Sequence, residues 1–189
     1  MLAARGAVIV DADAIVREVQ AVGGPAYGGI VERFGPGVVA ADGSLDRAAL
    51  AALVFADAAA RADLGALTYP HVGAAMAARV AEAGAADPSA IVVLDIPLLA
   101  ERGGRDAYGV AAVIVVDCPV DEAVRRLVAA RGFSEADARA RVEAQASREQ
   151  RLALADYVID NGEPLEALEP QVEACWAWLL GLREAGHSG

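Results

Sequence analysis

The chain contains no lysine: all sixteen of its basic residues are arginine. A Schiff-base lysine and a lysine general base are therefore excluded. The phosphate-binding loop G-x-x-x-x-G-K-[ST] cannot occur within these 189 residues either. Cysteine is scarce, and Cys118 and Cys175 stand far apart with no CxxC or CxxH spacing. Two reduced core thiols are expected, not a metal site. Long hydrophobic runs are also missing. The longest purely apolar stretch, residues 48–56, is far short of the roughly 18 residues a membrane span needs. Asp11 and Asp13 break the N-terminal apolar stretch too early for a secretory signal. A soluble, cytoplasmic protein is expected. Positive charge is in deficit, with 27 acidic residues against sixteen basic ones and a net charge of −11. That argues against nucleic acid or an anionic membrane as partner, but leaves room for a local arginine cluster that takes a small anion.

What is present has the pattern of an α/β protein. Four short β-branched runs, at 7–10, 91–94, 113–116 and 157–159, are continuously apolar, as strands buried on both faces are. Each is followed by an aspartate: Asp11, Asp95, Asp117 and Asp160. Helical patterns separate them. Pro119 and Asp121 suit the start of a helix reaching about residue 130. Ser134 with Asp137 forms a capping pair for the next helix. Leu165, Leu168, Val172, Cys175, Leu179 and Leu182 mark one apolar face of the last helix. Residues 185–189 are expected to fray. Strands alternating with helices predict a mainly parallel sheet flanked by helices, whose ligands bind beyond the carboxyl ends of the strands. The four aspartates would lie there, unless each merely caps the helix that follows. The stretch 12–86 is too long for one crossover helix, and is expected to form a helical insert that holds substrate.

Two groups of residues could carry chemistry. Residues 125–151 hold seven arginines, among them Arg126, Arg148 and Arg151, and arginine forks suit phosphate oxygens. The segment 131–147 resembles a small lid between helices. The alternative is a solvated face with ion pairs such as Glu135 with Arg139. The second group is Asp11, Asp13 and Arg17. Asp13 and Arg17 are four apart and can share a helix face. A carboxylate there could orient or deprotonate a hydroxyl, or help to hold hydrated Mg²⁺.

Several segments in order resemble the dephospho-CoA kinase family. They are V-I-V-D-A-D-A-I-V-R-E-V at 8–19, D-G-S-L-D-R at 42–47, D-I-P-L-L-A-E at 95–101, Q-A-S-R-E-Q-R at 145–151 and A-D-Y-V-I-D-N at 155–161. The resemblance runs from residue 3 to about residue 178. It implies a single P-loop kinase-like domain over 1–189, with an acceptor-binding insert at 12–86 and a lid at 131–147. It implies transfer of the γ-phosphoryl of ATP, with Mg²⁺, to the ribose 3′-hydroxyl of dephospho-CoA, the last step of CoA biosynthesis. It carries Asp13 over as the catalytic aspartate, with an indirect metal role, and Arg126 as a catalytic and nucleotide-binding residue. Arg148 and Asn161 would bind nucleotide. Asp11, Arg17, Tyr69, Asp95, Pro97 and Glu101 would bind the acceptor. ATP and dephospho-CoA would be the partners of a monomer or small homo-oligomer, with no nucleic acid or membrane partner.

Two departures from the family pattern stand out. Tyr69-Pro70 replaces its usual His-Pro pair, with His71 one place beyond. The family's first strand and G-x-G-x-G-K-[ST] loop are also missing, since Met1 aligns with the last turn of the helix after that loop. About twenty residues are thus expected upstream, including the lysine of the phosphate cradle. On that expectation Met1 is an internal methionine or a cloning boundary, and these 189 residues alone make an inactive, poorly stable kinase. The alternative is a non-catalytic paralogue that binds CoA-like ligands.

Overall fold

The computed structural model describes residues 1–186. Two compact units divide the chain: Ala7–Ile96, and Met1–Gly6 together with the described residues from Pro97 onward.

In the unit Ala7–Ile96, strand β1 (Val8–Asp11) lies parallel to β2 (Val92–Asp95), with Val8 opposite Val92 and Asp11 opposite Asp95. Four helices connect them: α1 (Ala12–Val19), α2 (Tyr27–Phe34), α3 (Arg47–Ala56) and α4 (Ala58–Ala86). The expected helical stretch at 12–86 is thus helical throughout most of its length. Three of its four helix starts are set by aspartates. Asp11, Asp46 and Asp57 each accept backbone N–H bonds from the first turn of α1, α3 and α4, satisfying donors that a helix leaves open. After α1 the chain doubles back, and the Ala26 N–H donates to the Val19 carbonyl. Gly24 permits this, since a Cβ there would stand 2.5 Å from that carbonyl oxygen. Val10, Ile15, Val19, Ile30, Val38, Leu50, Val72 and Met76 are buried. The buried Gln20 donates to Thr68 Oγ1 at 3.1 Å, so neither polar group is left unsatisfied.

In the other unit, β3 (Ile114–Asp117) lies parallel to β4 (Tyr157–Asp160). Between them run α5 (Val120–Arg131), α6 (Glu135–Glu143) and α7 (Arg148–Leu152), and α8 (Leu168–Gly186) follows β4. Ser134 caps α6 by accepting the Asp137 N–H, as its spacing predicted. Gly132, at φ +68°, closes α5 in the left-handed conformation that favours glycine. Ile159, Val172 and Cys175 form a buried cluster with Leu2, Ile114, Tyr157 and Trp178 around it. The Tyr157 and Trp178 rings sit 5.0 Å apart. Arg5 pairs with Glu169 and Glu173 of α8. Ala185 and Gly186 still belong to α8, and the rest of the expected frayed tail lies outside the described residues.

The fold is α/β, with parallel strands flanked by helices. The expectation of strands buried on both faces needs correction. Among the described residues each sheet has two strands, so each of these strands has one edge without a strand partner there. Val8, Ile9, Val116 and Val158 are exposed, Val116 to 59%. A continuous apolar run reports what a strand is able to bury, and burial itself depends on the layers beside it.

Candidate active site

Asp11 ends β1 and is at once the N-cap of α1. Its Oδ1 accepts the Ala14 N–H at 2.8 Å. No loop intervenes, so the first turn of α1 begins at the strand end. Asp13 sits in that first turn and is exposed, where the helix N-terminus favours negative charge. Asp95 ends β2, is exposed, and is the register partner of Asp11. The parallel pairing thus brings two carboxylates to one strand end, with a third two residues along the chain. Asp13 and Arg17 share α1, but the ion pair of Arg17 is with the cap residue. Arg17 Nη2 lies 3.9 Å from Asp11 Oδ2. The cap residue precedes the helix and its second oxygen points back over the first turn, within reach of Arg17. Tyr69 lies elsewhere, exposed on α4, lining a shallow hollow of about 480 Å³ with Arg61, Gly65 and Pro70.

The unit from Pro97 onward brings Arg148 and Asn161 together at Asp117. This aspartate ends β3 and is 4% exposed. Arg148 Nε stands 3.1 and 2.9 Å from its two oxygens, and Nη2 stands 2.6 Å from Oδ2. The Arg148 hydrogen bonds hold the Asp117 carboxyl below the usual carboxylate range, against the opposing effect of burial. The guanidinium is shifted up for the same reason. The Asp117 carbonyl accepts the Asn161 N–H at 2.7 Å. Gly162 follows, and a Cβ on it would come within 2.9 Å of Pro119 Cδ, so only glycine lets the Asn161 loop pack this closely on the start of α5.

Arg126 is half-buried on α5. Its Nε donates to Glu122 at 2.6 Å and its Nη2 to the Glu163 carbonyl at 3.4 Å. Glu122 also takes a fork from Arg125, and first Arg125, then Arg126, lowers its carboxyl. Glu101, expected to meet the acceptor, accepts the Ala146 N–H at 2.7 Å, two residues before Arg148. It thereby ties the end of the 131–147 segment. Pro97 is exposed.

A family model described as dephospho-CoA kinase matches residues 1–166. The chain belongs to the dephospho-CoA kinase family. A member from Streptomyces avermitilis is 49% identical over 180 residues, 95% of this chain and 85% of that protein. The crystal structure of TT1252 from Thermus thermophilus superposes with a TM-score of 0.76 at 31% identity, covering 94% of this chain and 87% of that one. A dephospho-CoA kinase from Campylobacter jejuni shares the fold, with a TM-score of 0.68 at 22% identity, 95% of this chain and 88% of that one. A member of a kinase family has a nucleotide among its substrates.

Sequence reasoning gave neither Asp117 nor Glu122 a site role of its own. Asp117 was visible only as one of four strand-end aspartates. No spacing rule links it to an arginine 31 positions later. Among the described residues no group of three or more potential ligands could hold a metal by itself. Among the described residues no helix is long and apolar enough to cross a membrane.

Proposed function

We propose that the protein transfers the γ-phosphoryl group of Mg²⁺-bound ATP to the ribose 3′-hydroxyl of dephospho-CoA, giving CoA in the cytoplasm. The 49% identity to a dephospho-CoA kinase across 95% of the chain carries this reading. The geometry supports it. Phosphoryl transfer asks for positioning and charge neutralisation more than for covalent help. Asp13, exposed at the start of α1, is free to orient the acceptor hydroxyl or take its proton. Asp11, Arg17 and Asp95 surround it with groups for the acceptor, and Tyr69, Pro97 and Glu101 complete the acceptor-side set. Arg126 and Arg148 supply guanidinium forks for phosphoryl oxygens. Asn161, on the loop after β4, is the candidate contact for the nucleotide. Residues 12–86 form the acceptor-holding insert and 131–147 the lid of one kinase domain.

The test is an assay of the product of the full reading frame with MgATP and dephospho-CoA, following ADP and CoA. Equal formation of both supports the reading. Binding of dephospho-CoA without ADP release would replace it with a non-catalytic CoA-ligand-binding role.

A further inference from the structure

The pair Asp117–Arg148 is more elaborate than anchoring α7 requires. That helix is already fixed at its start by a capping box, in which Ser147 and Gln150 exchange bonds with each other's backbone N–H. Arg151 Nη1 adds a bond to the Ala146 carbonyl at 2.6 Å. A buried ion pair is in general weak support for stability, because desolvation offsets most of the attraction. What such a pair does supply is direction. Asp117 occupies the Nε–Nη2 edge of the guanidinium, and the Nη1 edge remains for another acceptor. The Arg148 side chain is 43% exposed while its partner is 4% exposed, so one edge faces the interior and solvent reaches the rest. The carbonyl of the same Asp117 holds the Asn161 N–H. Side chain and main chain of one residue thus fix two groups that come from different parts of the sequence.

We propose that Asp117 is the positioning residue of the nucleotide side. Its carboxylate aims the Arg148 fork at a phosphate of ATP, and its carbonyl sets the Asn161 loop. The inference rests on the reading of Arg148 as an ATP contact. Asp117 itself touches no substrate. Its removal acts through Arg148, so it weakens ATP and leaves dephospho-CoA alone.

The experiment uses the product of the full reading frame and compares Asp117→Asn, Arg148→Ala and the double variant. Asp117→Asn replaces one acceptor oxygen with an amide that cannot accept from the fork. It is expected to raise KM for ATP about tenfold, the scale of one lost charge-assisted contact, with KM for dephospho-CoA unchanged. Arg148→Ala is expected to do the same, and the double variant no more than either single one. An Asp117→Asn enzyme with the parental KM for ATP, beside an impaired Arg148→Ala enzyme, overturns the inference alone. So does strict additivity in the double variant. An Arg148→Ala enzyme with the parental KM overturns the ATP contact, and the inference with it. Thermal melting separates these outcomes from loss of fold. Should Asp117→Asn not fold, Arg148→Lys replaces it, keeping the charge and losing the fork. A rise in KM for ATP then supports the inference, and a parental KM overturns it.

Discussion

At the end of β1 an aspartate meets a helix at once, and at the end of β3 it does not. Asp11 is followed directly by α1, whose open N–H groups claim one of its oxygens. It stays half-exposed beside the exposed Asp95 and Asp13. Asp117 is followed by Cys118 and Pro119, and α5 starts only at Val120. With a proline at the N-cap position, no first-turn N–H bonds to the Asp117 carboxylate. It turns inward and is met by Arg148. Two strand ends with the same sequence signature thus yield an open acidic mouth and a closed ion pair. The spacer between strand and helix makes the difference.

The largest expected effect tests the open end. Asp13→Asn should lower kcat by roughly 10²–10⁴-fold, the range for a lost acid–base or orienting group. Its melting temperature should stay close to the parent, because Asp13 is exposed. If turnover is unchanged, the open strand end is not the chemical one. At the closed end, Asp117→Ala should cost about 3 kcal/mol in urea unfolding, the low end for stripping a buried pair of one partner, because Arg148 is itself partly exposed. A cost like that of a surface pair would mean that the two ends do not differ in kind.

Acid gives a third test. The Asp117 carboxyl lies below its ordinary value when folded, so the unfolded chain binds the proton more readily. Its stabilisation is complete above the unfolded carboxylate pKa of about 4 and is lost as pH falls through the lowered folded value. Melting temperatures between pH 2 and 6 should therefore fall less steeply on acidification in Asp117→Asn than in the parent. Asp11→Ala should cost about 1 kcal/mol, the value of a helix cap. Smallest of all, Arg17→Ala should change stability by less than about 0.5 kcal/mol, as its pair with Asp11 is 3.9 Å long and exposed. KM for dephospho-CoA should nevertheless rise, which separates a substrate group from a structural one.

Much of this was legible in the chain itself. All four strands fall within a residue or two of the apolar runs, since β-branched runs bounded by polar residues have few other uses. The Ser134 cap and the Glu135–Arg139 pair at 3.6 Å follow from spacing alone. Other contacts lay beyond its reach for identifiable reasons. Arg17 turns to Asp11 and not Asp13, because helical spacing ignores the cap residue just outside the helix. Glu101 was assigned to the acceptor from its motif, and its structural partner is the Ala146 N–H. That contact joins segments 45 residues apart, beyond the range of any periodicity.

The sequence by itself determined the family, the order of strands and helices, and an aspartate at the end of every strand. These depend on side-chain periodicity, capping and local charge, which act over a few residues. Only the tertiary structure decided which aspartate would be buried, which arginine would hold it, and which strand faces would stay exposed. Those outcomes depend on which layers meet and on the cost of removing a charge from water, and that cost is set by neighbours brought from far along the chain.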